Sequence, residues 1–438
     1  MNAEELEARY RHQSHRSREL FERGRYYTAG AAKGAYYYPP YPLTMDRGEG
    51  CYLWDVDGHR YIDCGNHHTA QILGHADPAV AAAVQAQLQK GVALGAATGI
   101  ESEIARAMCR RVDSLERIRF VNSGTEATLH AIRLARGFSQ KGKIAKFEGG
   151  YHGNHDAVEV SVAPPLDQAG PADAPYAVPT AGGLSPSAAS EALILPFDDE
   201  EAVDKLVAAH ADELACVLFD PKCGVLETRP DFARAVREIT RRHNVLLIFD
   251  EIVAFRSAWG GLQAVYAIDP DLTCFGKVVG GGFPVGAFGG RADIMDLFDN
   301  SQGPTGFFQS GTFSAHPVAM AAGLATLEQM TAENLDRLNG LGTRLKEGLD
   351  ALFAKQSIPA RTVCTGSVFS LYFSEGPVAS YRALAATDKA PLQPLFFSLL
   401  EQGYFLGQPG LGMCSLSLAM DESHIDGLVA AVHKGLAA

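Results

Sequence analysis

A chain of 438 residues, 47% hydrophobic and 20% charged, is long enough for two packed domains, or one large domain with an extra lobe. It carries too much apolar surface to stay disordered. Its net charge of −13 argues against a nucleic-acid or anionic-membrane surface, since either partner wants a basic face.

No stretch approaches the roughly 18 apolar residues of a membrane span. The segment Asn2–Arg9 is charged and has no apolar leader character. The eight cysteines are scattered without a CxxC pair, as expected of reduced thiols in a cytoplasmic protein.

In chain order, residues 2–23 are polar and helix-favouring, and suit an arm lying on a partner subunit. Residues 44–63 read as a hairpin, with Cys51–Trp54 and Arg60–Asp63 around a turn at Asp55–Gly58. Helices are expected over 77–90 and 101–112, the second with Ile104, Met108 and Val112 on one face. From about residue 118, short apolar strands alternate with helices. The strands are 118–121, 144–147, 216–219, 245–249 and 285–288, and the helices lie near 125–137, 201–210 and 231–243. That alternation predicts an α/β fold with a mainly parallel sheet covered on both faces. Residues 162–190, rich in Ala, Pro and Gly, read as a surface loop. Helices follow at 317–330 and 332–353, then strand, helix, strand and helix over 361–373, 391–402, 414–418 and 421–437. No internal repeat is present.

Five segments carry chemistry. The apolar run Val245–Phe249 ends in Asp250-Glu251. Twenty-seven residues after Asp250, Lys277 sits at the foot of the glycine-rich turn Gly276–Gly286. A lysine among apolar neighbours has a lowered pKa and is the better nucleophile. A buried strand ending in Asp, with such a lysine nearby, suits pyridoxal 5′-phosphate. That cofactor needs an amine to form a Schiff base and a carboxylate to keep its ring nitrogen protonated.

Phe120–Ala127 is a strand, a small-residue turn and a helix start. Its N-terminal amides, with the hydroxyls of Ser123 and Thr125, favour an anion such as a phosphate; taken alone it is an ordinary helix cap. It lacks the lysine of a nucleotide P-loop. In Phe147–Gly153, glycines flank Tyr151, which can stack on a flat ring. In Gln309–Pro317, Thr312 can donate to a phosphate. His152, His155 and Asp156 lack the further ligands of a zinc site, so no metal is expected.

Together these segments resemble the class III aminotransferases of the fold-type I pyridoxal phosphate enzymes, in the branch of glutamate-1-semialdehyde aminomutase and its transaminase relatives. Arg47–Gly50, Tyr61–Asp63, Ile72–His75, Asn122–Ala127, Tyr151–Gly153, Asp250-Glu251 and Gly276–Gly286 all match in order. The resemblance implies a large domain with a seven-stranded-type, mainly parallel sheet and a smaller α/β domain made from both ends of the chain. The expected boundaries are 1–70 for the arm and a small-domain segment, 71–330 for the large cofactor-binding domain and 331–438 for the C-terminal small domain.

The same resemblance implies roles. Lys277 is the Schiff-base lysine and proton shuttle, and Asp250 pairs with the ring nitrogen. Ser123, Gly124 and Thr125 hold the phosphate, and Tyr151 stacks on the ring. Thr312 reaches the phosphate of the neighbouring subunit, so a homodimer with shared sites is expected. Substrate contacts fall on Lys33, where the aminomutase has an arginine, and on His67 and His68, where it has Ser-Trp. Its C-terminal glutamate falls at Gly412, and Asp250–Gly261 is one residue shorter than its pattern. These departures favour transfer between a small amino donor and a separate carbonyl acceptor. Intramolecular amino transfer and racemisation are the alternatives within enzymes. A cofactor-sensing regulator would want an appended DNA-binding domain or a lost lysine. Tyr36–Tyr38 suits either a substrate entrance or an aromatic packing strip.

Overall fold

The computed structural model describes residues 3–30 and 37–437, which fall into two compact units. One is built from 1–78, 336–377 and 386–438; the other from 79–335 together with 378–385. The short helix Tyr381–Ala385 thus belongs with the large unit, although the chain on either side of it belongs with the small one.

In the small unit, the chain enters through helices Ala3–Gln13 and His15–Gly24. The apolar side of the first, Leu6 and Tyr10, is buried. Tyr10 lies 5.0 Å from Phe397 of helix Leu392–Glu401, and its hydroxyl donates to Tyr41 O at 2.7 Å. The arm expected on a partner subunit therefore already packs its apolar side on its own chain. Tyr38 is buried edge-on against Phe396 at 5.0 Å, the packing-strip arrangement, whereas Tyr37 is exposed. Tyr36 lies outside the described residues.

Three strands follow, β1 (Met45–Glu49), β2 (Tyr52–Asp55) and β3 (Arg60–Asp63), so the expected hairpin has an additional strand. Asp55 closes the β2–β3 turn by accepting from the amides of Asp57 and His59 and from the Tyr61 hydroxyl.

The large unit holds β4 (Arg117–Val121), β5 (Lys143–Phe147), β6 (Ala192–Leu195), β7 (Leu214–Phe219), β8 (Leu246–Asp250), β9 (Leu272–Gly276) and β10 (Gly286–Gly290). Their order across the sheet is β4-β10-β9-β8-β7-β5-β6. Every pairing is parallel except the two made by β10. The chain returns to the small unit for β11 (Ala360–Thr365), β12 (Val368–Phe373), β13 (Tyr404–Phe405) and β14 (Cys414–Ser415). There β13 adds in parallel to β3, and β11, β12 and β14 form a second small sheet.

The centre of the large sheet is buried on both faces, so a strand such as β7 is continuously apolar rather than alternating; all six residues of β7 are buried. Helix Gly124–Ser139 covers one face, packing Ala127, Ala131, Leu134 and Ala135 on Val121, Cys216, Leu218 and Ile248. On the other side Phe147, Phe197, Phe219, Phe232 and Phe249 form a chain of ring contacts, 5.0 Å between Phe147 and Phe219 and 5.5 Å between Phe219 and Phe249. Each such ring contributes about 2–3 kcal/mol by leaving water. Two strands were not read from sequence. β6 is a four-residue edge strand, and β9 carries Thr273 and Gly276, polar and small residues that mask its strand character.

The parallel strands place their carboxyl ends along one edge, where ligands of open α/β sheets bind. There β4 runs into Ser123, β5 into Glu148, β8 ends in Asp250 and β9 runs into Lys277. β10 starts at this edge, and its first residue, Gly286, is opposite both Val121 and Gly276. A Cβ on Gly286 would lie 1.9 Å from the Ser123 carbonyl oxygen. Gly286→Ala should therefore cost about 2–3 kcal/mol in urea unfolding, through overpacking. An unfolding midpoint equal to that of the parent chain would show that this approach is not tight.

Candidate active site

Asp250 ends the apolar strand β8 and is only 5% exposed. Its Oδ1 accepts from the Ile252 amide at 3.1 Å, and its Oδ2 lies 2.8 Å from His152 Nδ1. An ionised carboxylate only accepts, so the ring proton sits on Nδ1. His152 is itself wholly buried; burial, with the nearby Lys146 amine, holds its basicity well below that of a free imidazole. The pair is thus a carboxylate and a neutral histidine. Burial pushes the Asp250 carboxyl up to about 6, against the lowering effect of the Ile252 amide and of Lys277.

Lys277 opens the short 3₁₀ turn Lys277–Gly280 directly after β9. Its φ of +50° is in the left-handed region, at a cost of about 1–2 kcal/mol for a residue with a Cβ. Burial lowers the basicity of its amine, and the charge of Asp250 opposes that. Glu251 points elsewhere. It accepts from the amides of Leu262 and Gln263 and holds the start of helix Gly261–Tyr266.

At the end of β4, Ser123 caps helix Gly124–Ser139, its hydroxyl accepting from the Glu126 amide at 3.1 Å. Glu126 returns a carboxylate oxygen to the Asn122 amide at 2.8 Å. The ordinary cap is therefore made. It uses the Glu126 amide, and those of Gly124 and Thr125 are the ones a helix N-terminus leaves for an anion. A Cβ on Gly124 would lie 2.7 Å from Ile252 Cδ1, so this turn sits against the residue two beyond Asp250. Thr125 Oγ1 accepts from the Asn154 amide at 3.2 Å, which ties the turn to the Tyr151 loop. Tyr151 is half exposed, and its hydroxyl donates to Asn154 Oδ1 at 2.9 Å.

The large unit therefore brings Ser123, Gly124, Thr125, Tyr151, Asp250 and Lys277 to one edge of one sheet. Thr312 belongs to the same unit and is exposed, in a loop where buried Gln309 accepts from Arg119. His67 and His68 lie in the small unit, inside a run from Asn66 to Thr69 with φ between +43° and +71°. Asp63 pins that run by accepting from the Gly65 and Asn66 amides and from His75 Nε2. His67 borders a cavity of about 640 Å³ lined also by Phe21, Leu43 and Phe405. Lys33 lies outside the described residues.

His152 was set aside at the sequence level along with the metal reading. The signal for its partnership was a buried carboxylate that needs a donor.

The class III aminotransferase model matches residues 34–432. The chain is 36% identical over 423 residues to a glutamate-1-semialdehyde 2,1-aminomutase of Methanocaldococcus jannaschii, covering 95% of this chain and 97% of that one. Its fold superposes on an omega-transaminase from Sphaerobacter thermophilus with a TM-score of 0.91, at 39% identity, covering 96% of this chain and 97% of the other. A beta-phenylalanine aminotransferase from Variovorax paradoxus gives 0.90 at 35% identity, covering 99% and 96%. The chain belongs to the class III aminotransferase family. Its fold is that of the fold-type I enzymes, and its cofactor is pyridoxal 5′-phosphate.

The residues present fit that cofactor. Asp250 has only a neutral histidine and a main-chain amide as hydrogen-bond partners among the described residues. Neither partner carries a positive charge, which a protonated ring nitrogen would supply. The amides at Gly124 and Thr125 suit a phosphate, and the half-exposed Tyr151 offers a ring face.

An acid whose pKa is raised by folding keeps the native chain protonated where the unfolded chain has already ionised. Its contribution is full below the ordinary value of 3.8 and is lost as pH rises through about 6. Cofactor-free Asp250→Asn should therefore gain about 2–3 kcal/mol on the parent chain as pH rises from about 4 to 7. Urea unfolding across that range checks this, and a pH-independent difference would contradict it.

Proposed function

We propose that this class III enzyme is an aminotransferase, moving an amino group from an amino acid or amine donor to a separate keto acid, ketone or aldehyde. The observation that carries the amino-transfer chemistry common to both readings is the buried Asp250 at the end of β8, on the same sheet edge as Lys277 and the Ser123–Thr125 turn. Likeness to a named omega-transaminase supports separate donor and acceptor. So do the departures from the aminomutase pattern at Lys33, His67-His68 and Asp250–Gly261.

When bound, pyridoxal phosphate supplies an aldehyde that condenses with amines and a ring that takes up electrons from the substrate carbon. Lys277 would hold the cofactor through Nζ and, when free of it, would serve as the base. Its lowered basicity leaves an amine able to accept a proton at Nζ and give it up again. Asp250 holds the proton on the ring nitrogen, and His152 Nδ1 fixes the carboxylate that does so. Ser123, Gly124 and Thr125 would bind the phosphate and Tyr151 would offer its ring face to the cofactor. Thr312 reaches the phosphate of a neighbouring subunit, so a homodimer completes two sites. Lys33 attracts a substrate carboxylate as a point charge rather than through a bidentate fork, with His67 and His68 as further substrate contacts. The enzyme acts in the cytoplasm on small molecules; no helix among the described residues is long and apolar enough to cross a membrane.

A second reading, intramolecular amino transfer, is favoured by the curated relatives, which are named as aminomutases. It retains one substrate through the whole cycle and needs no separate acceptor.

The two readings separate when single amino donors are added to the cofactor-loaded protein without acceptor. L-Glutamate, L-alanine, a β-amino acid and a simple amine are the probes. An aminotransferase loses the cofactor's long-wavelength absorbance with at least one of them, releasing one equivalent of carbonyl product. Persistence of the band with all of them favours intramolecular transfer. Lys277→Ala should remove turnover by about 10³-fold or more while leaving the fold intact, and normal turnover by it would sink both readings.

A further inference from the structure

Lys146 is the most buried lysine-bearing position that the chemistry above does not use. It sits in β5 between Ala145 and Phe147, and its side chain is 0% exposed. A leucine or methionine would fill the same space without removing an amine from water, so packing alone gives no reason for a lysine. Its Nζ donates to two main-chain carbonyls, Gly150 O at 2.8 Å and Val160 O at 2.5 Å.

Those two acceptors are informative. Gly150 immediately precedes Tyr151 and His152. Val160 precedes Ser161, whose carbonyl accepts from the Gly149 amide at 2.9 Å. The amine therefore fastens the loop after β5 to the segment 158–161 at the peptide from which the ring-facing tyrosine and the histidine depart. The loop has no slack there. A Cβ on Gly150 would lie 2.8 Å from Phe147 O and 3.0 Å from His152 Nε2. On its far side, Glu148 is held by both Nε and Nη2 of Arg382 at 3.0 Å. Arg382 grips the start of the loop, and Lys146 fixes the peptide at its working end.

We propose that Lys146 is a positioning residue for the reaction: by fixing the Gly150 carbonyl it sets the plane of Tyr151 against the cofactor ring and the approach of His152 to Asp250. This rests on the reading above, in which Tyr151 and Asp250 face the cofactor.

The test is Lys146→Met in the cofactor-loaded enzyme, read by visible circular dichroism of the bound cofactor at full occupancy. The signal per unit absorbance reports how the ring is held, and a residue serving only the stability of β5 would not move it. The dichroism should fall by about twofold or more. The kcat should fall about 10- to 100-fold, the scale of a misplaced reacting group, with donor KM changed less than about threefold. Lys146→Gln, one bond shorter and able to reach one carbonyl, should fall between Met and the parent. Unchanged dichroism and kcat in Lys146→Met would overturn the proposal. Should that variant not fold, Lys146→Gln decides: a reduced signal supports the proposal and an unchanged one overturns it. Borohydride fixation of the cofactor to Lys277 in the parent enzyme separates the two levels, because its failure would defeat the underlying site reading rather than the role of Lys146.

Discussion

The structure depends on one constraint, a carboxylate held out of water at the end of a strand buried from Leu247 onward. Left to itself, Asp250 is an unfavourable choice there. Burial pushes its carboxyl up to about 6 and favours the neutral form, whereas a partner for a ring cation has to be ionised. The chain meets this with groups that orient the carboxylate without neutralising it: an amide from Ile252 and a ring N–H from a histidine kept uncharged by its own burial. A lysine or arginine in contact would have stabilised the buried carboxylate better. Local stability is given up where charge complementarity is reserved for a ligand.

The neighbouring elements follow from that arrangement. To bring the start of helix Gly124–Ser139 beside Ile252, position 124 has to be glycine, and position 286 has to be glycine so that β10 can pass under the Ser123 carbonyl. Lys277 reaches the same edge by taking a left-handed backbone conformation straight after β9. The loop after β5 is gripped by Lys146 and Arg382. Positive φ at Lys277, the close glycine approaches and buried amines are departures from local preference. Their concentration at one sheet edge is itself a sign of function.

Much of this was legible in the sequence, because apolar runs ending in Asp250 and in the Ser123 turn show where strands stop and helices start. The alternation of strands and helices was enough for the mainly parallel sheet. The antiparallel direction of β10 was not legible, since no local feature encodes which way a strand runs. β9 was hidden by Thr273 and Gly276, polar and small residues in a strand that its neighbours bury completely. His152 escaped because its role lies in a contact with a residue 98 positions away. The left-handed run at His67 and His68 depends on Asp63 and His75 folding around it, and nothing in the residues themselves announces it.

The central claim is that Asp250 keeps a ring nitrogen protonated. It is tested most directly by nitrogen-15 NMR of the enzyme loaded with pyridoxal phosphate labelled at that nitrogen. The account predicts a protonated shift in the parent enzyme up to about pH 8, far above the ordinary range of a free pyridine, and a deprotonated shift in Asp250→Asn. A parent enzyme whose ring nitrogen is already deprotonated at neutral pH, or a shift unaffected by Asp250→Asn, would contradict it.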